Sequence, residues 1–305
     1  MNIDGSSINF LENLDFFANQ VVEGFITGLH KSPFHGFSVE FAEHRIYNPG
    51  DSVKHVDWKL YGRTDKMFTK RFEEETNLRC HLIIDCSSSM FFPFNKESKM
   101  DKLTFSVLSS ACLMNLFRRQ RDAFGMTLFS ESLDFHRYPK VSKKHYFQLI
   151  YELEKKIKAK RRANIKTDFP KSLGSLVDLI KERSLIVIFS DFQGSKETLN
   201  SLFQSLQSLK YKKHEIILFH VSDLKKEKDL VFPGDFYKFI DLETNEEVSV
   251  NPSDLREKFQ LEKENLFSFI KEKALQNKID YFIADLNEGF NMMLKSYLIK
   301  RSKLY

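Results

Sequence analysis

Two short runs in this 305-residue chain place hard oxygen donors where they could do chemistry. The first, Leu82-Ile83-Ile84-Asp85-Cys86-Ser87-Ser88-Ser89-Met90, reads Asp-x-Ser-x-Ser directly off an apolar run. The second, Ile186-Val187-Ile188-Phe189-Ser190-Asp191, ends another apolar run on an aspartate. Between them, Thr167 stands just before Asp168-Phe169-Pro170, where a helix should start. Two carboxylates and three hydroxyls suit Mg²⁺ (or Mn²⁺), which takes octahedral oxygen ligation, retains waters and often uses few carboxylates. Without a cation, two carboxylates brought together repel, and one tends to keep its proton. Each piece alone has a plainer reading, because serines after a strand are common turn and N-cap residues and Thr167 or Asp168 could cap its helix. Three pieces in order at strand ends favour the metal reading.

For these pieces to meet, the elements around them must form a sheet. From residue 77 onward, short apolar strands alternate with helices. The strands are expected at Leu82–Asp85, Gly125–Phe129, Leu133–His136, Leu185–Ser190, Glu215–Val221 and Asp280–Ala284. The helices are expected at 101–121, 143–158, 169–183, 196–209, 254–275 and 288–301. Uninterrupted apolar strands such as Leu185–Phe189 suit a sheet covered on both faces, so the alternation predicts an α/β, doubly wound, mostly parallel sheet. A short link between the second and third strands predicts one antiparallel hairpin at an edge, and 236–251 reads as an inserted hairpin. In such a sheet ligands bind outside the carboxyl ends of the strands, where Asp85 and Asp191 fall.

Ahead of this domain, Phe10, Leu14, Phe17, Val21 and Phe25 recur at helical spacing, giving a helix over 9–29. Residues 32–75, broken by Pro33, Gly36, Pro49 and Gly50, read as a small strand-rich element, with Phe68-x-Lys70-x-Phe72 alternating like a strand. The expected domains are therefore 1–75 and 76–305. Arg45, Asp51, Asp57 and Arg63 read most simply as an ion-pair and turn network fixing that element, with partner docking as the alternative.

Composition narrows the function classes. With 42% hydrophobic and 29% charged residues and a net charge of +5, the chain is that of a globular protein and gives no reason to expect nucleic acid. Phe, at 31 residues, points to an aromatic-rich core or an aromatic docking surface, the core being the plainer reading. No apolar run approaches the roughly 18 residues of a membrane span, and no signal peptide is expected. Cys80, Cys86 and Cys112 form no Cys-x-x-Cys pair, which suggests a reducing cytoplasm. Phosphate-loop, nucleophile-elbow and His-Glu-x-x-His motifs are all missing.

Asp85-x-Ser87-x-Ser89, Thr167 and Asp191 resemble, in order, the metal-ion-dependent adhesion site of von Willebrand factor A-type domains. The segment Glu40–Lys59, through Tyr47-Asn48-Pro49-Gly50-Asp51-Ser52-Val53-Lys54-His55-Val56-Asp57-Trp58, is similar to the signature of domain-of-unknown-function family 58. Arg63 and Arg71-Phe72-Glu73-Glu74-Glu75 continue that likeness, whose members are bacterial and are typically encoded beside MoxR-type AAA+ ATPases. The resemblance implies that Ser87 and Ser89 ligate the ion directly, Thr167 directly or through water, and Asp85 and Asp191 mostly through bridging waters. It also implies that a carboxylate from a partner protein fills the open sixth position. One departure stands out: the usual glycine-rich approach to the threonine is replaced by Arg162-Ala163-Asn164-Ile165-Lys166.

Lys155-Lys156-Ile157-Lys158-Ala159-Lys160-Arg161-Arg162 reads first as a solvated helix end. Lying just before Thr167, its Lys158, Lys160, Arg161 and Arg162 could also steer an acidic partner toward the metal face. Together these features lead us to expect a non-catalytic, Mg²⁺-dependent protein-interaction module, an adaptor or partner of a MoxR-type ATPase. The alternative is a metal-dependent hydrolase using the same Asp/Ser cluster. Two-metal hydrolysis usually requires several directly ligating carboxylates, and this set offers mainly hydroxyls.

Overall fold

The structure, a computed structural model, describes residues 13–30, 44–46, 58–70, 78–93, 100–159, 165–232, 237–243 and 246–302. The chain forms two compact units, one running to Phe25 and resuming at Leu78, the other Ile26–Asn77. In the smaller unit, β1 (His44–Ile46) pairs antiparallel with β2 (Phe68–Lys70), and Trp58–Thr64 forms a short helix. The strand at Phe68–Lys70 agrees with the sequence reading; the helix was not expected. The boundary at 75/76, Asp51, Asp57, Phe72 and residues 9–12 of the expected first helix lie outside the described residues.

The larger unit is built on a six-stranded sheet. Its strands are β3 (Arg79–Asp85), β4 (Ala123–Phe129), β5 (Leu133–Lys140), β6 (Leu185–Ser190), β7 (Glu215–Ser222) and, later in the chain, Asp280–Asp285. A separate two-stranded hairpin, β8 (Tyr237–Ile240) with β9 (Glu247–Val250), precedes that last strand, which is therefore β10. The order across the sheet is β10-β7-β6-β3-β4-β5, parallel throughout except for the antiparallel edge strand β5. This is the doubly wound, mostly parallel sheet with one antiparallel edge hairpin that the strand pattern implied. The chain winds outward from β3 in both directions, so the switch point lies between β3 and β6.

Helices cover both faces because β4 and β6 are buried along their whole length and β3 from its second residue. Against one face, α5 (Phe169–Leu179), α6 (Lys196–Tyr211) and α7 (Pro252–Gln276) enclose a core with Ile83, Ile186, Ile188, Ile216 and Leu218. On the other face lies α3 (Lys102–Arg119), buried on every side from Lys102 to Phe117. It is shielded in turn by α1 (Leu14–His30), α4 (Lys143–Lys158) and α8 (Asn291–Ser302). Tyr146 of α4 donates to Asp15 of α1 at 2.6 Å, and Phe117 of α3 meets Tyr297 of α8 edge-on. Side chains of Asp101, Ser142 and Ser195 cap α3, α4 and α6. Among the described residues no helix is long and apolar enough to cross a membrane.

Element boundaries differ from expectation where side chains break the apolar pattern. β3 begins at Arg79 rather than Leu82, because His81 is accepted inside the sheet: its Nε2 bonds Thr127 Oγ1 at 2.9 Å. β5 runs to Lys140, α5 stops at Leu179 and α8 starts at Asn291. Gly125 of β4 sits so close to β5 that a Cβ there would lie 2.4 Å from the Arg137 carbonyl oxygen. Gly125→Ala is therefore expected to cost about 1–3 kcal/mol in urea denaturation by pushing the edge strand away.

Two buried histidines make the unit acid-sensitive. Burial, reinforced by His136 and His214, pushes His81 down to about 3, and burial brings His220 down to about 4. Each takes a proton at about pH 6.5 when unfolded but refuses it when folded. Their contribution is thus intact above that pH and lost as pH falls toward 4, at up to about 1.4 kcal/mol per pH unit for each. Urea midpoints at pH 7, 5.5 and 4.5 should show this loss, and His81→Gln should flatten the slope by its share.

Candidate metal centre

All five oxygen-bearing residues singled out in the sequence meet at the carboxyl ends of β3 and β6. Asp85 is the last residue of β3, and Asp191 directly follows β6, its parallel neighbour. After β3 the chain turns through a tight 3-10 turn at Ser88–Phe91, for which Ser87 occupies the N-cap position. Its hydroxyl makes no capping bond. Instead Ser87 Oγ lies 3.1 Å from Ser89 Oγ. Capping at Thr167 falls to its neighbour: Asp168 accepts from Lys171 N at 3.0 Å, leaving Thr167 Oγ1 3.5 Å from each carboxylate oxygen of Asp85. That distance is at the limit of a hydrogen bond. The capping explanation therefore accounts for Asp168 but not for Ser87 or Thr167.

The middle serine of the motif has the structural part. Ser88 N donates to the Ile165 carbonyl at 2.9 Å, and Ile165 N donates back to Ser88 Oγ at 2.9 Å. This reciprocal pair ties the Ser87–Ser89 turn to the chain leading into Thr167. Asp168 N adds a bond to the Ser130 carbonyl at 3.2 Å. The approach that lacks the family's glycines is thus held from its Ile165 end. Of the basic residues, Lys158 is exposed at the end of α4, while Lys160, Arg161 and Arg162 lie outside the described residues.

The two aspartates are buried and differently supported. Asp85 accepts from Ser190 Oγ at 2.7 Å and Ser87 N at 2.9 Å. Burial and the neighbouring charge of Asp191 still push its carboxyl up to about 6, because those hydrogen bonds only partly compensate. Asp191 is also penalised by burial, but Lys102 outweighs this and holds it below the usual carboxylate range. The Lys102 ammonium, buried, donates to Asp191 Oδ2 at 2.6 Å and to Glu227 Oε1 at 2.8 Å. Burial by itself lowers its pKa, but the two carboxylates outweigh this and raise it above that of a free lysine. Glu227, in a π turn at Leu224–Lys228 after β7, is completed by Ser222 Oγ at 2.8 Å and Asp223 N at 3.0 Å.

Glu243, on the turn of the β8–β9 hairpin, is half-buried. Burial first, then the charge of Asp191, pushes Glu243 up to about 7. Sequence reasoning missed Lys102, Ser190, Glu227 and Glu243. Lys102 and Ser190 carried a signal, a lysine opening an apolar helix and a hydroxyl beside Asp191. Glu227, within Lys225-Lys226-Glu227-Lys228, and Glu243, in a polar turn, carried none.

These residues fit a divalent ion on two counts. Neighbouring ligands in a Mg²⁺ octahedron stand about 3.0 Å apart for bonds of about 2.1 Å, close to the Ser87–Ser89 separation. The buried carboxylate of Asp85, held by hydrogen bonds alone, is the one a cation would stabilise most, because Lys102 is committed to Asp191 and Glu227. Among the described residues no three His, Cys, Asp or Glu side chains are placed to hold a metal by themselves, so the hydroxyls would be indispensable. If Lys102 supplies the fixed charge of the site, Lys102→Met strands Asp191 and Glu227 and lowers stability by about 3–5 kcal/mol in urea. Adding Asp191→Asn and Glu227→Gln should recover part of it.

Comparison with known proteins identifies the chain's relatives. Uncharacterized proteins of Mycobacterium tuberculosis and Mycobacterium bovis are 24% identical over 214 residues, 70% of this chain and 64% of theirs. The chain thus spans less than two thirds of the length of these relatives. Among solved structures, BatB of Bacteroides thetaiotaomicron, a conserved hypothetical protein, is 14% identical with a TM-score of 0.46, covering 74% of this chain and 98% of its own. A von Willebrand factor type A protein of Catenulispora acidiphila is 14% identical with a TM-score of 0.32, covering 52% of this chain and 35% of its own. Residues 43–265 match the family described as "Protein of unknown function DUF58", and the chain belongs to that family.

Proposed function

We propose that this protein is a non-catalytic interaction module that grips an acidic residue of a partner through Mg²⁺ or Mn²⁺ held at Asp85, Ser87, Ser89, Thr167 and Asp191. The observation that carries this reading is the pair of hydroxyls at Ser87 and Ser89, 3.1 Å apart and not used as caps, facing two buried carboxylates. When bound, the ion would supply a Lewis-acidic positive centre for a partner's carboxylate. The chain's own residues do the rest. Ser87, Ser89 and Thr167 would present neutral oxygens, which leave most of the ion's charge available. Asp85 would orient Ser87 and Thr167, and Asp191 would orient Ser89.

A donor set of hydroxyls with carboxylates behind them favours binding over hydrolysis, for which several direct carboxylate ligands are usual. The partner we favour is a MoxR-type AAA+ ATPase, on the strength of the family resemblance. Lys158, with Lys160, Arg161 and Arg162, would speed the approach of an acidic surface without setting final affinity.

Calorimetric titration with Mg²⁺ or Mn²⁺ tests the site directly. Ion at one hundred times its dissociation constant should stabilise the native state by about 2.7 kcal/mol in thermal melts. Ser87→Ala should weaken binding at least about tenfold. An absence of heat and of any melting shift, with Ser87→Ala unchanged, would reduce the cluster to a hydrogen-bonded junction between loops.

A further inference from the structure

We propose that Lys102 is a positioning residue for the metal: by holding a carboxylate oxygen of Asp191, it keeps that aspartate one water away from the ion. The ion then meets the neutral oxygens of Ser87, Ser89 and Thr167, and its charge stays available to a partner's acid. This inference rests on the metal reading of Asp85, Ser87, Ser89, Thr167 and Asp191.

A carboxylate within reach of Mg²⁺ is a stronger ligand than a hydroxyl, so something must hold Asp191 back if hydroxyls are to do the ligation. Both of its oxygens already have partners. Lys102 Nζ donates to Oδ2 at 2.6 Å, and the Gln193 amide donates to Oδ1 at 3.3 Å. Lys102 has nowhere else to go. It is fully buried, it opens α3, and its backbone N donates to the Phe92 carbonyl at 2.9 Å. Its ammonium also donates to Glu227 Oε1 at 2.8 Å and stands 5.7 Å from the centre of the Phe92 ring. Glu227 is pinned in turn by Ser222 Oγ and Asp223 N on Oε2, and by Gln193 Nε2 at 3.3 Å on Oε1. Gln193 thus braces both carboxylates that hold the ammonium.

Two cations therefore compete for Asp191, and one of them is built in. Direct ligation by Asp191 would leave a buried ammonium with Glu227 alone, and a buried charge that loses a partner is costly. Asp85, at the end of the adjacent strand, carries no such restraint: its donors at 2.7 Å and 2.9 Å, Ser190 Oγ and Ser87 N, are both neutral. Lys102 so divides the two aspartates, one already neutralised by the chain and the other open to an added cation.

Magnesium calorimetry and Mn²⁺ water-proton relaxation on the full chain test this role. Lys102→Met combined with Glu227→Gln removes one charge of each sign, so a gain in affinity cannot come from a change in net charge. This pair should bind Mg²⁺ about tenfold more tightly than the wild type. Its bound Mn²⁺ should carry one water fewer, because Asp191 takes that place. Adding Asp191→Asn should abolish both effects. Glu227→Gln alone keeps the ammonium on Asp191 and should leave the water count unchanged. Metal-free melts check that each variant folds; if the Lys102 pair does not, Asp191→Asn in the otherwise wild-type chain decides. An unchanged water count there supports an aspartate held off the ion, and a gain of one water overturns the proposal. If the wild type binds Mg²⁺ and Ser87→Ala weakens it, yet the folded Lys102 pair alters neither affinity nor water count, the positioning role is overturned and the metal site stands. If the wild type binds no Mg²⁺, both fall together.

Discussion

Asp85 and Asp191 leave the ends of adjacent parallel strands with their carboxylates facing one crevice, and burial tolerates two negative charges there only if positive charge comes with them. Lys102 meets half of that demand. It is the first residue of a helix buried on all sides, and its ammonium ties Asp191 to Glu227 across three elements, α3, β6 and the turn after β7. Asp85 has no such cation and relies on Ser190 and the Ser87 amide. The two neighbouring aspartates are thus held unequally, one by an ammonium and the other by hydrogen bonds alone.

The loops around the crevice are fixed by bonds that do not use the proposed ligands. Ser88 and Ile165 clamp two loops reciprocally, Asp168 caps α5, and Ser130 receives the Asp168 amide. Ser87, Ser89 and Thr167 are thereby placed without having their hydroxyls consumed by the backbone. A binding site needs that division of labour: supporting residues satisfied among themselves, presenting residues left to face a ligand. The serine run reads as three equivalent hydroxyls, yet the middle one serves the fold and the outer two face each other.

Opposite this rigid edge stands a hairpin with little burial of its own. Local opening is least costly where few apolar groups are covered, and β8–β9 is that kind of segment.

The sequence by itself determined the sheet and the donor set. Buried parallel strands must be continuously apolar, so Leu82–Asp85 and Leu185–Ser190 declared themselves, and residues at their carboxyl ends had to share an edge. Patterns of this kind are local and survive in one dimension. They failed at His81, where a polar residue satisfied by Thr127 interrupts an otherwise apolar strand, and at Trp58–Thr64, where helix replaced an expected strand-rich stretch. Only the tertiary structure decided which charges meet. Glu227 sits among lysines in the chain and reads as solvated until folding brings it to Lys102. Electrostatic partnership depends on distance through space and on burial, neither of which spacing along the chain encodes.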